Sequence, residues 1–315
     1  MPSRHRRSRV WAERLVIVAF LALVAGLIAW KADDIAWDQV MRTLRGYDRV
    51  SLGLAALIAG TSTLVYCGYD LLARAYVQHR LTRLRVMAIA FVSYAFNLNL
   101  GAFVGGVGFR YRLYSRAGLK QGAIARVVSF SLATNWLGHF LLAGGVLLLR
   151  QVPLPESWGV AAGVGQLIGA GLLSVVGLYL WLSAFSRRRS VRIRGHEILF
   201  PGWRMALLQL LVSAANWTLM AGILFVLLHE HVAFGAVLST LLIAAIAGVI
   251  THVPGGIGVI EFVFIGALGG KVGHGELIAA ILAYRAFLYL GPLVVALALY
   301  VALEAAGRSP QPAHA

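Results

Sequence analysis

Thr251-His252-Val253-Pro254-Gly255-Gly256-Ile257-Gly258-Val259-Ile260-Glu261 interrupts an apolar run over residues 236–268. A bilayer core offers no water to an unpaired backbone, so a Pro-Gly-Gly break there needs a cavity lined by protein. Pro254 removes one donor and clashes with a preceding helical turn. Gly255, Gly256 and Gly258 leave backbone N–H groups uncovered. If a half-helix restarts near Ile257, its N-terminus faces the break and favours an anion. Glu261 then sits about one turn inside it. A proline kink with glycines for close helix packing would use the same residues. Glu261 weighs towards a site, because intramembrane carboxylates are rare and usually functional.

A second charge belongs with this break. Arg285 lies deep in the last apolar run, where an unpaired arginine costs at least about 2.5–3.5 kcal/mol. Glu261 is its obvious partner, either as a structural ion pair or as a pair that opens to a lipid phosphate. Tyr289, one turn on, shares the face of Arg285.

The rest of the chain has the composition of a polytopic membrane protein. Hydrophobic residues make up 60% and charged residues 13%, against a usual charged share of about 25%. Mean hydropathy is +0.80. The formal charge of +16 sits mostly in short arginine-rich loops. That distribution suits anionic headgroups better than nucleic acid. Cys67 is the only cysteine, so no disulfide forms within the chain.

The N-terminal residues 1–13 are basic, with Arg4, Arg6, Arg7 and Arg9 ahead of an apolar run over 14–30. No small-residue cleavage site follows it, which predicts an uncleaved first span bracketed by Trp11 and Trp30. Loop 31–49 mixes both signs, and span two covers about 50–69. Loop 70–85 carries Arg74, Arg80, Arg83 and Arg85, which places it in the cytoplasm with the N-terminus. Residues 86–104 are long enough to cross, yet Arg110, Arg112, Arg116 and Lys120 follow at once. A full crossing would put those cations outside. Asn97, Asn99 and four glycines in this stretch favour a re-entrant hairpin returning to the cytoplasm.

Further spans are expected over 123–149, 160–181, 206–228 and 276–303, and the basic loop 183–204 is cytoplasmic. For the last span to start outside, residues 236–268 must also re-enter, from the external face. The expected fold is therefore all-α, with six full spans and two re-entrant segments, or eight segments if all are counted. It forms a single transmembrane domain over 14–303, with a short cytoplasmic tail over 304–315. Gly105 and Gly258, Phe109 and Phe262, Gly122 and Gly275, and Leu137 and Leu290 each lie 153 positions apart. That register would come from an inverted repeat with halves near 50–182 and 204–303, a device that builds transporter sites.

Other polar residues read mostly as interhelical contacts. Ser131, Asn135 and His139 recur every four residues as one stripe. Gln166, Gln209 and Asn216 suit helix–helix hydrogen bonds. Asn97 and Asn99 suit either capping of broken backbone or a headgroup contact. His229 and His231 do not share a helix face, which argues against a metal site. No nucleophile elbow, P-loop or H-E-x-x-H pattern is present, and no cofactor is implied.

Pro254-Gly255-Gly256-Ile257-Gly258-x-x-Glu261 with Ala283-Tyr284-Arg285 resembles the lysylphosphatidylglycerol synthase transmembrane family, most of all its stand-alone YbhN-like branch. So do Asn97-Leu98-Asn99-Leu100-Gly101 and Gly105-Gly106-Val107-Gly108-Phe109-Arg110-Tyr111-Arg112-Leu113. The likeness covers about 12–303. It implies a bacterial inner-membrane protein. In the two-domain members this part is taken to flip an aminoacylated lipid that a soluble domain makes. A chain of 315 residues has no room for that domain, so aminoacyl transfer is not expected. The first motif departs from the wider pattern, with Gly108-Phe109-Arg110 where a proline and a glutamate are expected near the glycines.

The expected function is movement of an anionic phospholipid or related lipid between leaflets. Pro254, Gly255, Gly256, Gly258, Glu261 and Arg285 would form the inner site. Arg110, Arg112 and Arg116 would meet headgroups. One rival is an accessory subunit that organises a lipid-synthesis enzyme without transport. The other is an intramembrane enzyme acting on a lipid.

Overall fold

The structure is a computed structural model that describes residues 37–152, 162–185, 190–193, 196–199, 201–229, 231–251 and 253–306. The span expected at 14–30, Pro153, Pro155, His252 and the tail beyond 306 lie outside those residues. A short helix, α1 (Trp37–Gly46), leads into α2 (Arg49–Val77). Asp48 starts α2 by accepting from the N–H groups of Val50 and Ser51, both at 2.8 Å. Gln78 ends it in the left-handed conformation.

Then come α3 (Arg83–Leu100), a π-helical segment (Ala102–Gly108), α4 (Phe109–Arg116), α5 (Gln121–Leu148) and α6 (Ala162–Phe185). A two-stranded antiparallel hairpin, β1 (Ser190–Ile193) and β2 (His196–Leu199), precedes α7 (Trp203–Leu227). The chain continues through α8 (Phe234–Thr251), a 3-10 turn (Pro254–Gly256) and α9 (Val259–Leu268). It finishes with α10 (His274–Arg285), a π turn (Ala286–Leu290) and α11 (Gly291–Ala306).

Contacts at the helix ends define two faces. At the first, His79 and Leu81 after α2 share a cleft with Leu119 and Lys120 before α5. Glu304 of α11 pairs there with Arg112 and Arg116 of α4. At the second face, the Tyr47 hydroxyl donates to Leu227 O at 2.8 Å, joining the start of α2 to the end of α7. Ser239 donates to Gln151 O at 3.2 Å, and His231 meets Glu276 at 3.0 Å.

Among the described residues, six helices are long and apolar enough to cross a membrane. One of them, α8, turns back instead, because Pro254 and the glycines stop it and α9 packs against it. The two ends of this α8–α9 hairpin are brought together at the second face by the His231–Glu276 contact. The α3–α4 pair is the matching hairpin from the first face. Gly101, at φ 84°, makes its bend. A Cβ at Gly105 would overlap the Phe96 carbonyl, and one at Gly106 would crowd Asn97 Oδ1, so only glycine lets the arms close. The Phe96 and Phe109 rings stack across the hairpin at 4.0 Å.

The order helix, hairpin, helix thus occurs twice, with the second copy running in the opposite direction. Both hairpins begin with an 18-residue helix. The helices that follow start at Gln121 and His274, in the 153-position register of the sequence. The tips meet: a Cβ at Gly255 would lie 3.6 Å from Leu98 O and 3.7 Å from Asn99 O.

Helix α2 packs most extensively on α7, where Ser62 donates to Asn216 Oδ1 at 3.0 Å. Gly138 lies hard against Ser213, and Gly144 and Gly169 bring α5 and α6 together. Small residues at crossings let membrane helices approach closely. Gln209 donates to Thr134 at 2.7 Å and accepts from Tyr179, so it joins three helices as its spacing suggests.

Two boundaries differ from the sequence reading. Loop 31–49 contains α1. Span two does not stop at residue 69 but runs 29 residues to Val77. Asp70 and Arg74 therefore belong to a helix, because the charge that should end it is neutralised inside the bundle.

Candidate functional site

The break at the tip of the second hairpin is held by a single guanidinium. Arg285 is the last residue of α10, at the point where the helix widens into a π turn. Its Nε donates to Glu261 Oε1 at 3.1 Å and its Nη2 to Glu261 Oε2 at 3.2 Å. The same fork donates to Gly255 O at 2.8 Å and to Gly256 O at 3.0 Å. The guanidinium also lies 5.5 Å from the Tyr289 ring centre, as their shared helix face requires.

Gly255, Gly256 and Gly258 have φ of 65°, 57° and 80°, a region that costs other residues strain. This geometry turns the carbonyls of Gly255 and Gly256 towards Arg285. The sequence suggests that glycine N–H groups face an anion. In the structure the Gly256 N–H donates to Val253 O at 2.9 Å, and the Gly258 N–H to Glu261 Oε2 at 2.9 Å. A side-chain carboxylate of the chain itself thus occupies the half-helix N-terminus. The pair is not sealed, since 13% of the Arg285 side chain and 24% of that of Glu261 remain exposed.

A second ion pair is fully enclosed. The sequence puts Arg110 among cations that meet headgroups; the structure corrects this, with Arg110 3% exposed and Asp70 0%. Arg110 Nε donates to both Asp70 oxygens, at 3.2 and 3.1 Å, and Nη2 to Oδ1 at 3.1 Å. Tyr114 donates to Asp70 Oδ2 at 2.9 Å and Ser131 to Oδ1 at 2.7 Å. Arg110 Nη1 reaches Gly106 O at 3.2 Å. Three helices meet on one carboxylate, α2, α4 and α5, and the π segment is held through Arg110. Burial is tolerable only because both charges are paired and hydrogen-bonded.

Tyr66 links this pair towards the tips. Its hydroxyl accepts from Arg110 at 3.4 Å, and its ring stacks on Tyr94 at 3.7 Å. Asn99 donates to Ala95 O at 2.8 Å and to Tyr289 O at 3.2 Å, which ties the first hairpin tip to the π turn beyond Arg285. Asn99 thus caps broken backbone. Asn97 lies inside the first hairpin against Gly106. Arg112 and Arg116 stand apart at the first face, where they share Glu304 at 2.7 and 2.6 Å. Pro254 opens the 3-10 turn at the tip.

Of the stripe on α5, Ser131 is a ligand of Asp70. His139 is packed among Trp136, Phe140 and Trp217, with neither ring nitrogen bonded. Among the described residues no three His, Cys, Asp or Glu side chains gather as a metal site would need.

The sequence profile described as the lysylphosphatidylglycerol synthase TM region matches residues 16–296. The chain belongs to that family. It is 43% identical to the inner membrane protein YbhN of Escherichia coli over 305 residues, 96% of each chain. It is 29% identical to a Synechocystis protein over 86% of this chain and 85% of the other. It is also 25% identical to a phosphatidylglycerol lysyltransferase of Staphylococcus haemolyticus. That match takes in 90% of this chain and 33% of the lysyltransferase. Family membership and apolar helices together establish a multi-pass membrane protein.

The family motif at Pro254 contains one of the two ion pairs. The other has one partner, Arg110, inside the first motif, while Asp70 lies outside both. One signal for Asp70 was available. Leu71, Leu72 and Ala73 continue the apolar run beyond it, which is the pattern of a helix that buries a lone carboxylate.

Proposed function

We propose that this protein moves an anionic phospholipid between the leaflets of the bacterial inner membrane, with both termini in the cytoplasm. The observation that carries the reading is the meeting of two dead-end hairpins from opposite faces, closed by Arg285. Each hairpin is a path that stops halfway. Arg285 bonds both to a carboxylate and to backbone carbonyls, and a lipid phosphate competes for the same fork-shaped donor set. Exchange of Glu261 and the glycine carbonyls for a phosphate would open the tip contact. Tyr289 beneath the guanidinium keeps it in place through the exchange. The YbhN relative is named as an inner membrane protein, and the lysyltransferases that match over a third of their length are named for a phosphatidylglycerol reaction.

The test is translocation of headgroup-labelled phosphatidylglycerol in proteoliposomes, with plausible ion gradients supplied. The wild-type protein moves the probe. Arg285→Gln, where it folds, slows it at least ten-fold. Wild-type protein that moves no lipid would overturn the reading. The reading that then gains is an accessory subunit for a lipid-modifying enzyme, which the partial match to a larger enzyme favours over an intramembrane enzyme.

A further inference from the structure

We propose that the cleft between the α2–α3 loop and the start of α5 binds a phosphate group at a site separate from the hairpin tips. The cleft has a volume of about 860 Å3, and His79, Arg80, Lys120, Gly122, Ala123 and Arg126 are among the residues that line it. No acidic side chain lines it. Arg80, Lys120 and Arg126 are exposed, and none is in an ion pair among the described residues. Three cations held together without a carboxylate are an arrangement that an oxyanion stabilises.

The backbone adds to this. Helix α5 is 28 residues long, and Lys120 at its N-cap makes no side-chain capping bond. The first carbonyl-bonded amides are those of Ala123 and Ile124. The N–H groups of Gln121 and Gly122 precede them and have no partner within the helix. Nothing lies within 4 Å of where a Gly122 Cβ would be, so there is open space beside that residue. His79 also lines the cleft, and burial first, then Arg74, holds its pKa below the ordinary histidine range, with Asp70 opposing. The three cations supply the charge that a phosphate meets. None of these residues belongs to the Arg285 site, so the proposal stands without lipid movement.

The experiment titrates protein in nanodiscs of zwitterionic lipid with two probes, inorganic phosphate and water-soluble dihexanoyl phosphatidic acid, by calorimetry. At least one binds saturably to wild-type protein. Binding of the short-chain lipid without competition from inorganic phosphate identifies a headgroup site, and full competition identifies a site for free phosphate. Lys120→Gln/Arg126→Gln weakens binding at least ten-fold. Gly122→Val, which fills the mouth without changing charge, does the same. Arg204→Gln, a charge removed from the start of α7 outside the cleft, leaves affinity within two-fold. Absence of saturable binding for both probes would overturn the proposal. So would an equal loss from Arg204→Gln, or wild-type affinity in a normally folded Gly122→Val protein.

Discussion

Arg285 and Glu261 join the end of α10 to the first turn of α9 through two hydrogen bonds, Nε to Oε1 at 3.1 Å and Nη2 to Oε2 at 3.2 Å. The guanidinium is also the partner of the Gly255 and Gly256 carbonyls, and the carboxylate is the cap of α9. Neither side chain is replaceable by charge alone.

The two partners are unequal in consequence. Glu261→Gln keeps an oxygen that can cap Gly258 and leaves Arg285 on the glycine carbonyls, so it costs about 1–2 kcal/mol. Arg285→Gln strips two carbonyls and one carboxylate of their donor and costs about 2–4 kcal/mol. The double variant costs less than the sum, because the lone charge is gone. Arg285→Lys recovers little, since one ammonium cannot reproduce the fork. Thermal melts in detergent rank the four proteins. Strict additivity would show that the two groups do not act together.

The enclosed pair gives a sharper version of the same test. Asp70→Asn leaves Arg110 buried without its counter-charge, and about 3–5 kcal/mol is lost. Asp70→Leu/Arg110→Met removes both charges at similar volume and recovers much of the loss. Tyr114→Phe removes one bond to an ionised oxygen, for about 1.5–3 kcal/mol. The measurement is folded yield and melting temperature. A single Asp70→Asn variant as stable as wild type would mean that the charges do not meet.

The helices and their break were legible because two constraints act together. Apolar length sets the long helices, and a Pro-Gly-Gly break cannot sit inside a straight crossing. Glu261 and Arg285 were legible for a different reason: each is too costly to bury alone, and each was the other's only suitable partner nearby. Asp70 was hidden because its charge resembles the start of a loop, and its partner is 40 residues away on a hairpin whose closure no local pattern encodes. The role of the glycines was half visible. Composition marks positions able to take positive φ. Whether the N–H groups or the carbonyls then face inward depends on tertiary contacts with Arg285.

Glycine substitutions separate conformation from space. A Cβ at Gly256 meets nothing closer than 3.5 Å, yet φ there is 57°. Gly256→Ala therefore costs about 1–3 kcal/mol through the backbone alone, and Gly256→Asn costs less because asparagine tolerates that region. Gly105 is the reverse case: its φ is ordinary, but a methyl would meet the Phe96 carbonyl. Gly105→Ala and Gly105→Asn should both destabilise, by about 1–3 kcal/mol or more. Melting temperatures that rank Asn above Ala at 256 and show no rescue at 105 support both assignments. Equal stability of wild type and Gly256→Ala would sink the first.

The hairpins also make a topological prediction. Ser115 lies near the end of α4 at the face of Glu304, and Lys271 follows α9 at the face of His231 and Glu276. If α3–α4 and α8–α9 re-enter from opposite sides, cysteines at 115 and 271 lie across the membrane from each other. A full crossing by α8–α9 would instead put them on the same side, because only α5, α6 and α7 otherwise separate the two positions. The background is Cys67→Ala, since Cys67 is buried and its removal leaves no exposed thiol among the described residues. With an impermeant maleimide on intact cells, Lys271→Cys is labelled and Ser115→Cys is not. After permeabilisation both are labelled. A cysteine replacing Gly118, in the loop after α4, behaves like that at 115. Labelling of Ser115→Cys in intact cells would show that the first hairpin crosses fully or that the protein is inserted with its basic loops outward. A cysteine replacing the exposed Gln78, ahead of the first hairpin, distinguishes these: inverted insertion leaves it labelled in intact cells, whereas a full crossing by the first hairpin leaves it shielded.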